Sequence, residues 1–247
     1  MNKLANYILR KLSAEPDIPL KRLGTVYGGW YFPEKGISKD DIIISAGAGE
    51  DISFDIFLAH KFCCHVHILD PTPRAQLHFK DTKKKITNGE PAAINFSDKD
   101  FYIQDKQVFN CLKFYPVGLL NKNTHIFFYE PGNKNHVSHS IGNRHNTKDG
   151  FMAECIRLKD FLLQINAQKI KALKMDIEGA EYRVILDLIL CGIRPDYLLI
   201  EFHHGKNLLE KMITNNRILY CLLLRFSGYL IVSRNGNDFV FERKKIK

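Results

Sequence analysis

The stretch Asp40-Asp-Ile-Ile-Ile-Ser-Ala-Gly-Ala-Gly-Glu-Asp-Ile-Ser-Phe-Asp55 decides how the rest of the chain is read. Residues 42–45 form an apolar run with acids before it and small residues after it, which predicts a short buried strand. Gly47 and Gly49 follow; lacking a Cβ, they let the backbone turn sharply and approach a bound group. Asp51 or Ser53 is placed to cap a helix that begins near Phe54 and continues through Ile56, Phe57 and Leu58. A second strand, residues 64–69, ends in an acid, Asp70, and then Pro71-Thr-Pro. Strand, glycine turn, helix, strand and an acid about 20 residues on is how an open α/β sheet receives the ribose of a nucleotide-like cofactor.

The glycines alone carry little. The third glycine of the dinucleotide fingerprint is missing, with Ile52 in its place, and a plain tight turn between parallel strands uses the same residues. Asp70 tips the reading towards a cofactor, and the remainder of the chain narrows which one.

Upstream, Tyr27-Gly-Gly-Trp-Tyr-Phe-Pro33 has no helical period and reads as a hairpin at the sheet edge, with an aromatic wall near the ligand as the alternative. Residues 1–12 set Leu4, Ile8 and Leu12 on one helical face, a packing helix in preference to one lying on a membrane surface. Residues 75–92 are a charged, polar segment. Strands are expected at 111–117, 124–129 and 152–156, with Gly118 following the first of these along the cofactor crevice. A helix over 158–168, a strand over 170–175, a helix over 182–191 stopped by Gly192, and a strand over 197–202 come next. A helix over 206–225 and a hairpin turned at Asn235-Gly236 close the chain. The order predicts a doubly wound, Rossmann-like α/β sheet ending in an antiparallel hairpin. Residues 1–33 are expected as a helix and edge segment packed on a single domain, residues 34–247.

Residues 130–150 are long, polar and poor in apolar side chains, and read as a lid over the active site. His136, His139 and His145 within them do not share a helix face and have no cysteine nearby, so no metal is assigned there.

The composition fits one α/β domain with a full core: 247 residues, 45% hydrophobic. Lys and Arg exceed Asp and Glu by 36 to 27, for a formal net charge of +9. Much of the excess sits in the run Lys83-Lys84-Lys85 and at the C-terminus, as solvated surface, and nucleic-acid binding is not expected. Six cysteines without CxxC or metal spacing, and no secretory signal, point to free thiols in a reducing, cytoplasmic compartment. No apolar stretch reaches the ~18 residues of a membrane span.

The most specific stretch is Lys174-Met-Asp-Ile-Glu-Gly-Ala-Glu181. Asp176 ends an apolar strand and so faces the ligand crevice, while Glu178 and Glu181 fall where they share the first turn of a helix, favoured there by the helix dipole. Ser-Ala-Gly-Ala-Gly-Glu-Asp-Ile-Ser-Phe-Asp, Leu-Asp-Pro-Thr-Pro, Lys-Met-Asp-Ile-Glu-Gly-Ala-Glu and Ile-Glu-Phe-His together resemble the FkbM-type methyltransferases, from about Tyr27 to the closing hairpin.

That resemblance implies the class I methyltransferase fold, a seven-stranded sheet with its last strand antiparallel, and S-adenosylmethionine as methyl donor. It implies methylation of oxygen on a sugar, polyketide or related small molecule. Gly47 and Gly49 would admit the methionine portion, Asp70 with Pro71 would meet the ribose, and Gly118 would lie near the adenine. Ser45 departs from the acid that many class I enzymes carry there, so Glu50, Asp51 or backbone carbonyls take the methionine amine. Asp176, Glu178, Glu201 and His203 would surround the acceptor, with His203 as the first choice of general base and Asp176 the second. Asp176, Glu201 and His203 are also metal-ligand types at neighbouring strand ends, but no paired Asp-Asn follows the strand at Tyr197, and no metal is assigned. A nicotinamide-dependent oxidoreductase would share the glycine turn and Asp70 but not the residue 174–181 motif. A non-catalytic module binding an anionic polymer would use the basic surface instead.

Overall fold

The computed structural model describes residues 3–94, 100–130, 148–203 and 217–244. The expected lid and its three histidines fall almost wholly within 131–147, outside the described residues, as does the first half of the helix expected at 206–225.

The chain opens with α1 (Lys3–Lys11) and a hairpin of β1 (Leu20–Leu23) and β2 (Trp30–Pro33). The glycine-turn unit is β3 (Ile42–Ala46), α2 (Ser53–Phe62) and β4 (His65–Leu69), followed by α3 (Pro73–Asn88) and β5 (Leu112–Tyr115). Three strands then form a separate small sheet: β6 (Gly118–Leu120), β7 (Thr124–Tyr129) and β8 (Gly150–Arg157). The remainder is α4 (Leu158–Gln164), β9 (Ala172–Met175), α5 (Glu181–Leu190), β10 (Tyr197–Glu201), α6 (Arg217–Phe226), β11 (Tyr229–Asn235) and β12 (Asp238–Arg243).

Seven strands make a mixed sheet in the order β11-β12-β10-β9-β3-β4-β5. The five from β10 to β5 are parallel, and β12 runs antiparallel to both β10 and β11. Strands buried on both faces carry near-continuous apolar runs, as Ile42-Ile-Ile and Tyr197-Leu-Leu-Ile do here. One face packs Ile44, Leu173, Leu198 and Phe241 against α1, α4, α5 and α6 through Leu9, Phe161, Ile185 and Leu224. The other packs Ile43, Val66, Leu199 and Val240 against α2, α3 and the β1–β2 hairpin through Phe54, Leu58, Phe79 and Phe32.

Three details differ from expectation. The polar segment after Arg74 is α3, a 16-residue helix whose buried residues are only Ala75, Phe79, Thr82 and Ile86, a stripe too narrow to stand out among lysines. Its Thr72 cap and Gly89 stop were legible: Thr72 Oγ1 accepts from Ala75 N, and Gly89 is left-handed. In α1 the packed residues are Ile8, Leu9 and Leu12, while Leu4 is exposed. Finally, Glu178 lies before α5 with φ +53°, so it does not share a helical turn with Glu181.

Candidate active site

The chain leaves β3 for β4 and β5 on one side, while β9 and β10 lie on the other, so the topological switch falls between β3 and β9. Ligands of open α/β sheets bind outside the carboxyl ends of the strands at such a point. Here the two strand ends meet closely. Asp176 N donates to Ala46 O at 3.0 Å and Gly47 N to Leu69 O at 2.9 Å. Gly47 adopts φ +82°, and a Cβ on it would stand 1.8 Å from the Asp176 carbonyl oxygen, so only glycine fits. Lys174 Nζ donates to Gly47 O from below the turn. A cavity of about 410 Å³ opens above, joining the glycine turn to the ends of β9 and β10, within the range of small-molecule sites.

The acids around the turn are largely committed to protein. Asp70 is 4% exposed: Oδ2 accepts from Ala48 N and Gly49 N, and Oδ1 from Thr72 N and Thr72 Oγ1. Those four bonds fill the roughly four acceptor positions of a carboxylate, so Asp70 latches the glycine turn to the start of α3. Asp51 does not side-chain-cap α2 from the cap position, which is Ile52; it accepts from Ser53 N, Gly28 N and Thr25 Oγ1 and pins the loop before β2. Glu50 forms a bidentate pair with Arg74, at 2.8 and 3.0 Å. Glu50 and Asp51 both line the cavity, with their carboxylates already engaged by these protein partners. Ser45 is fully buried beside Asp55, its hydroxyl and the Asp55 Oδ1 facing no well-formed hydrogen-bond partner. Burial pushes the Asp55 carboxyl up to about 6, against the opposing pull of Lys174 and Ser45.

Asp176, Glu178, Glu201 and His203, predicted to surround one point, do converge. His203 Nε2 stands 3.7 Å from Asp176 Oδ1, 3.5 Å from Glu178 Oε2 and 3.8 Å from Glu201 Oε1. Its other nitrogen, Nδ1, meets Glu181 Oε1 at 2.8 Å. Glu181 is fully buried, and its carboxylate also accepts from Ile177 N and Gly179 N. It is thus a brace for the turn carrying Glu178. Burial pulls the His203 pKa down, but the Glu181 bond and the charges of Glu181, Glu178 and Asp176 outweigh it and raise it to about 10. Nδ1 of His203 is thus committed to Glu181, and only Nε2 faces the converging carboxylates. Glu201 is raised by burial and by Asp176, and Asp238 by burial and the same neighbour.

Sequence reasoning missed Asp238 and Lys174. Asp238 opens β12 and pairs with Glu201 in register; because β12 is antiparallel, its first residue falls where the parallel strands end. Lys174 is nearly buried in a strand otherwise apolar, a signal on its own. Tyr27 to Trp30 turn out to be both a hairpin connection and cavity lining, with Tyr27 at the lip, 71% exposed. Gly118 lines the cavity, where a Cβ would meet Cys155 Sγ at 2.8 Å and Phe128 Cζ at 3.2 Å. Pro71 and Leu119 complete this apolar end.

A mixed α/β sheet with a crevice at its switch point is a Rossmann-like fold. The chain belongs to the methyltransferase FkbM domain family, which it matches over residues 42–220. Among solved structures it resembles methyltransferase FkbM from Methylobacillus flagellatus KT, at 12% identity and a TM-score of 0.50. That similarity covers 84% of this chain, which spans 44% of the other. TYW2 of M. jannaschii, solved in complex with AdoMet, aligns at 10% identity and a TM-score of 0.36, covering 94% of this chain and 90% of that one. No curated protein sequence matches. At such identities the structural likeness speaks to the fold alone.

Proposed function

We propose that the protein is an S-adenosylmethionine-dependent methyltransferase acting on a hydroxyl oxygen of a small molecule, such as a sugar or polyketide. The observation that carries this is the single cavity joining the Gly47–Gly49 turn to the carboxylates at the ends of β9 and β10. The residues fit the group. The end lined by Pro71, Gly118, Leu119 and Phe128 is apolar, as an adenine needs, and the other end gathers Asp176, Glu178, Glu201 and Asp238, as a cationic ligand needs.

S-adenosylmethionine, when bound, supplies a methyl group already activated on a sulfonium. What remains for the chain is to align the acceptor and take its proton. Gly47 and Gly49 give the backbone approach at the methionine end. Asp70 takes a ribose hydroxyl in exchange for that of Thr72, the one rotatable donor among its four partners. Asp176 is the proposed proton acceptor because its side chain, 35% exposed, is the most open of the converging carboxylates. Glu178, Glu201 and His203 position it and shape the acceptor end, with Tyr27 and Trp30 at the mouth.

The six cysteines are free, as a reducing compartment keeps them, and a cytoplasmic location is part of this reading. No helix among the described residues is long and apolar enough to cross a membrane.

Incubation with methyl-labelled cofactor and a panel of hydroxylated acceptors tests the reading. Label should appear as an O-methyl group, with transfer by Asp176→Asn lower by about 100-fold or more. Label on nitrogen or carbon, or full activity in the variant, would contradict it.

A further inference from the structure

Four carboxylates line one end of the cavity, and Lys174 and His203 are the basic residues among its lining. Lys174 already donates to Gly47 O. Carboxylates drawn together away from water need compensating positive charge, part of which comes from His203, Lys174 and Arg22.

The spacing says what kind of charge fits. Hydrogen bonds from a ring nitrogen to a carboxylate run to about 3.2 Å, and the three oxygens facing His203 Nε2 stand beyond that, at 3.5, 3.7 and 3.8 Å. Donors each about 2.1 Å from a shared ion lie about 3.0 Å apart at right angles and about 3.4 Å apart in a tetrahedron. His203 Nε2 stands about 0.1–0.4 Å beyond the tetrahedral spacing and about 0.5–0.8 Å beyond the right-angle spacing from these oxygens, the contraction that sharing one ion would require. The donor atoms of Asp176, Glu178 and His203 all lie within 4.8 Å of one another. His203 is also oriented as metal-bound histidines are, its far nitrogen held by a carboxylate, Glu181, that fixes ring and tautomer.

We propose that Asp176, Glu178 and His203 form a binding site for a divalent cation of the Mn²⁺ type, with Glu201 as a fourth ligand and Glu181 as the residue that positions the imidazole. This rests on the same pocket as the methyl-transfer reading and deepens it. An imidazole among carboxylates suits a first-row transition ion better than Mg²⁺, which takes oxygen and keeps its waters, or Ca²⁺, which wants six or more oxygens. The ion would neutralise the acids and lower the pKa of an acceptor hydroxyl that reaches it. No paired Asp-Asn follows β10 to supply ligands. The ligands come instead from the turn after β9 and from His203, two residues past the end of β10.

Mn²⁺ titrated into the chelator-treated full chain and followed by electron paramagnetic resonance tests the site, since bound Mn²⁺ loses its free-ion signal. One ion per chain is expected. Glu181→Gln should weaken binding about 10–100-fold, and Glu178→Gln and His203→Gln at least as much, with thermal melts confirming that each variant is folded. An undiminished free signal, equal affinity in the ligand variants that fold, or displacement of Mn²⁺ by equimolar Mg²⁺ would overturn the proposal. S-adenosylhomocysteine binding measured on the same samples separates the two claims. Cofactor binding without Mn²⁺ binding removes the ion and leaves the methyltransferase; the reverse removes the methyltransferase and leaves the ion.

Discussion

Glu181 and His203 meet at 2.8 Å, one at the first residue of α5 and the other beyond the end of β10. The same Glu181 carboxylate holds Ile177 N and Gly179 N, so it fastens the turn after β9 to its neighbouring strand and keeps Glu178 in its left-handed conformation. Left-handed backbone at a non-glycine residue costs about 1–3 kcal/mol and persists where the surroundings enforce it. Glu181→Gln removes the charge that faces His203 from a fully buried position and should destabilise the fold by about 3 kcal/mol. Chemical denaturation measures this, and a loss within a few tenths of a kcal/mol would show that the brace is dispensable.

Gly47→Ala should be more damaging than its size suggests. The new methyl falls on the Asp176 carbonyl in a backbone conformation that costs an alanine about 1–2 kcal/mol before any clash. Relief requires the ends of β3 and β9 to separate. The expected result is a destabilised protein with no measurable S-adenosylhomocysteine binding, read by melting and by calorimetry on the folded fraction.

Asp70→Asn replaces one acceptor oxygen with a donor facing other donors, leaving two of its four bonds unmade. The cost should be about 2–3 kcal/mol of stability and at least a tenfold loss of cofactor affinity, about 1.4 kcal/mol. Unchanged affinity alongside lost stability would make Asp70 a latch for the turn and nothing more.

Asp55 gives a pH signature. Its folded pKa, about 6, lies above the ordinary carboxylate value of 3.8. Between those values the folded chain holds a proton that the unfolded chain has lost, so this group's contribution is present below about pH 4 and disappears as pH rises through 6. Asp55→Asn should flatten that dependence and stabilise the protein at pH 7 by roughly 2 kcal/mol. Melting temperatures of both proteins between pH 4.5 and 7.5 decide it; parallel curves would contradict the shift.

The sheet was legible because its strands announce themselves. Ile42-Ile-Ile and Tyr197-Leu-Leu-Ile are apolar runs closed by small or acidic residues and each is a strand of it, as Thr124 to Tyr129 is of the small sheet. The narrow stripe of α3 was not, because tertiary packing uses only four of its residues. At the site, residue types were readable but allegiances were not. Asp51, Asp70, Glu50 and Glu181 are acids in the right places, yet their partners are backbone amides, two threonines, an arginine and a histidine. Asp238 was hidden for a topological reason: an antiparallel strand brings its beginning to the crevice where parallel strands bring their ends.

Calorimetric titration with S-adenosylmethionine, S-adenosylhomocysteine and NAD, on the natural chain and on Asp70→Ala, tests the central claim most directly. The account predicts micromolar binding of the first two, no binding of NAD, and loss of both in the variant. Binding of NAD in their place, or of none of the three, would contradict it.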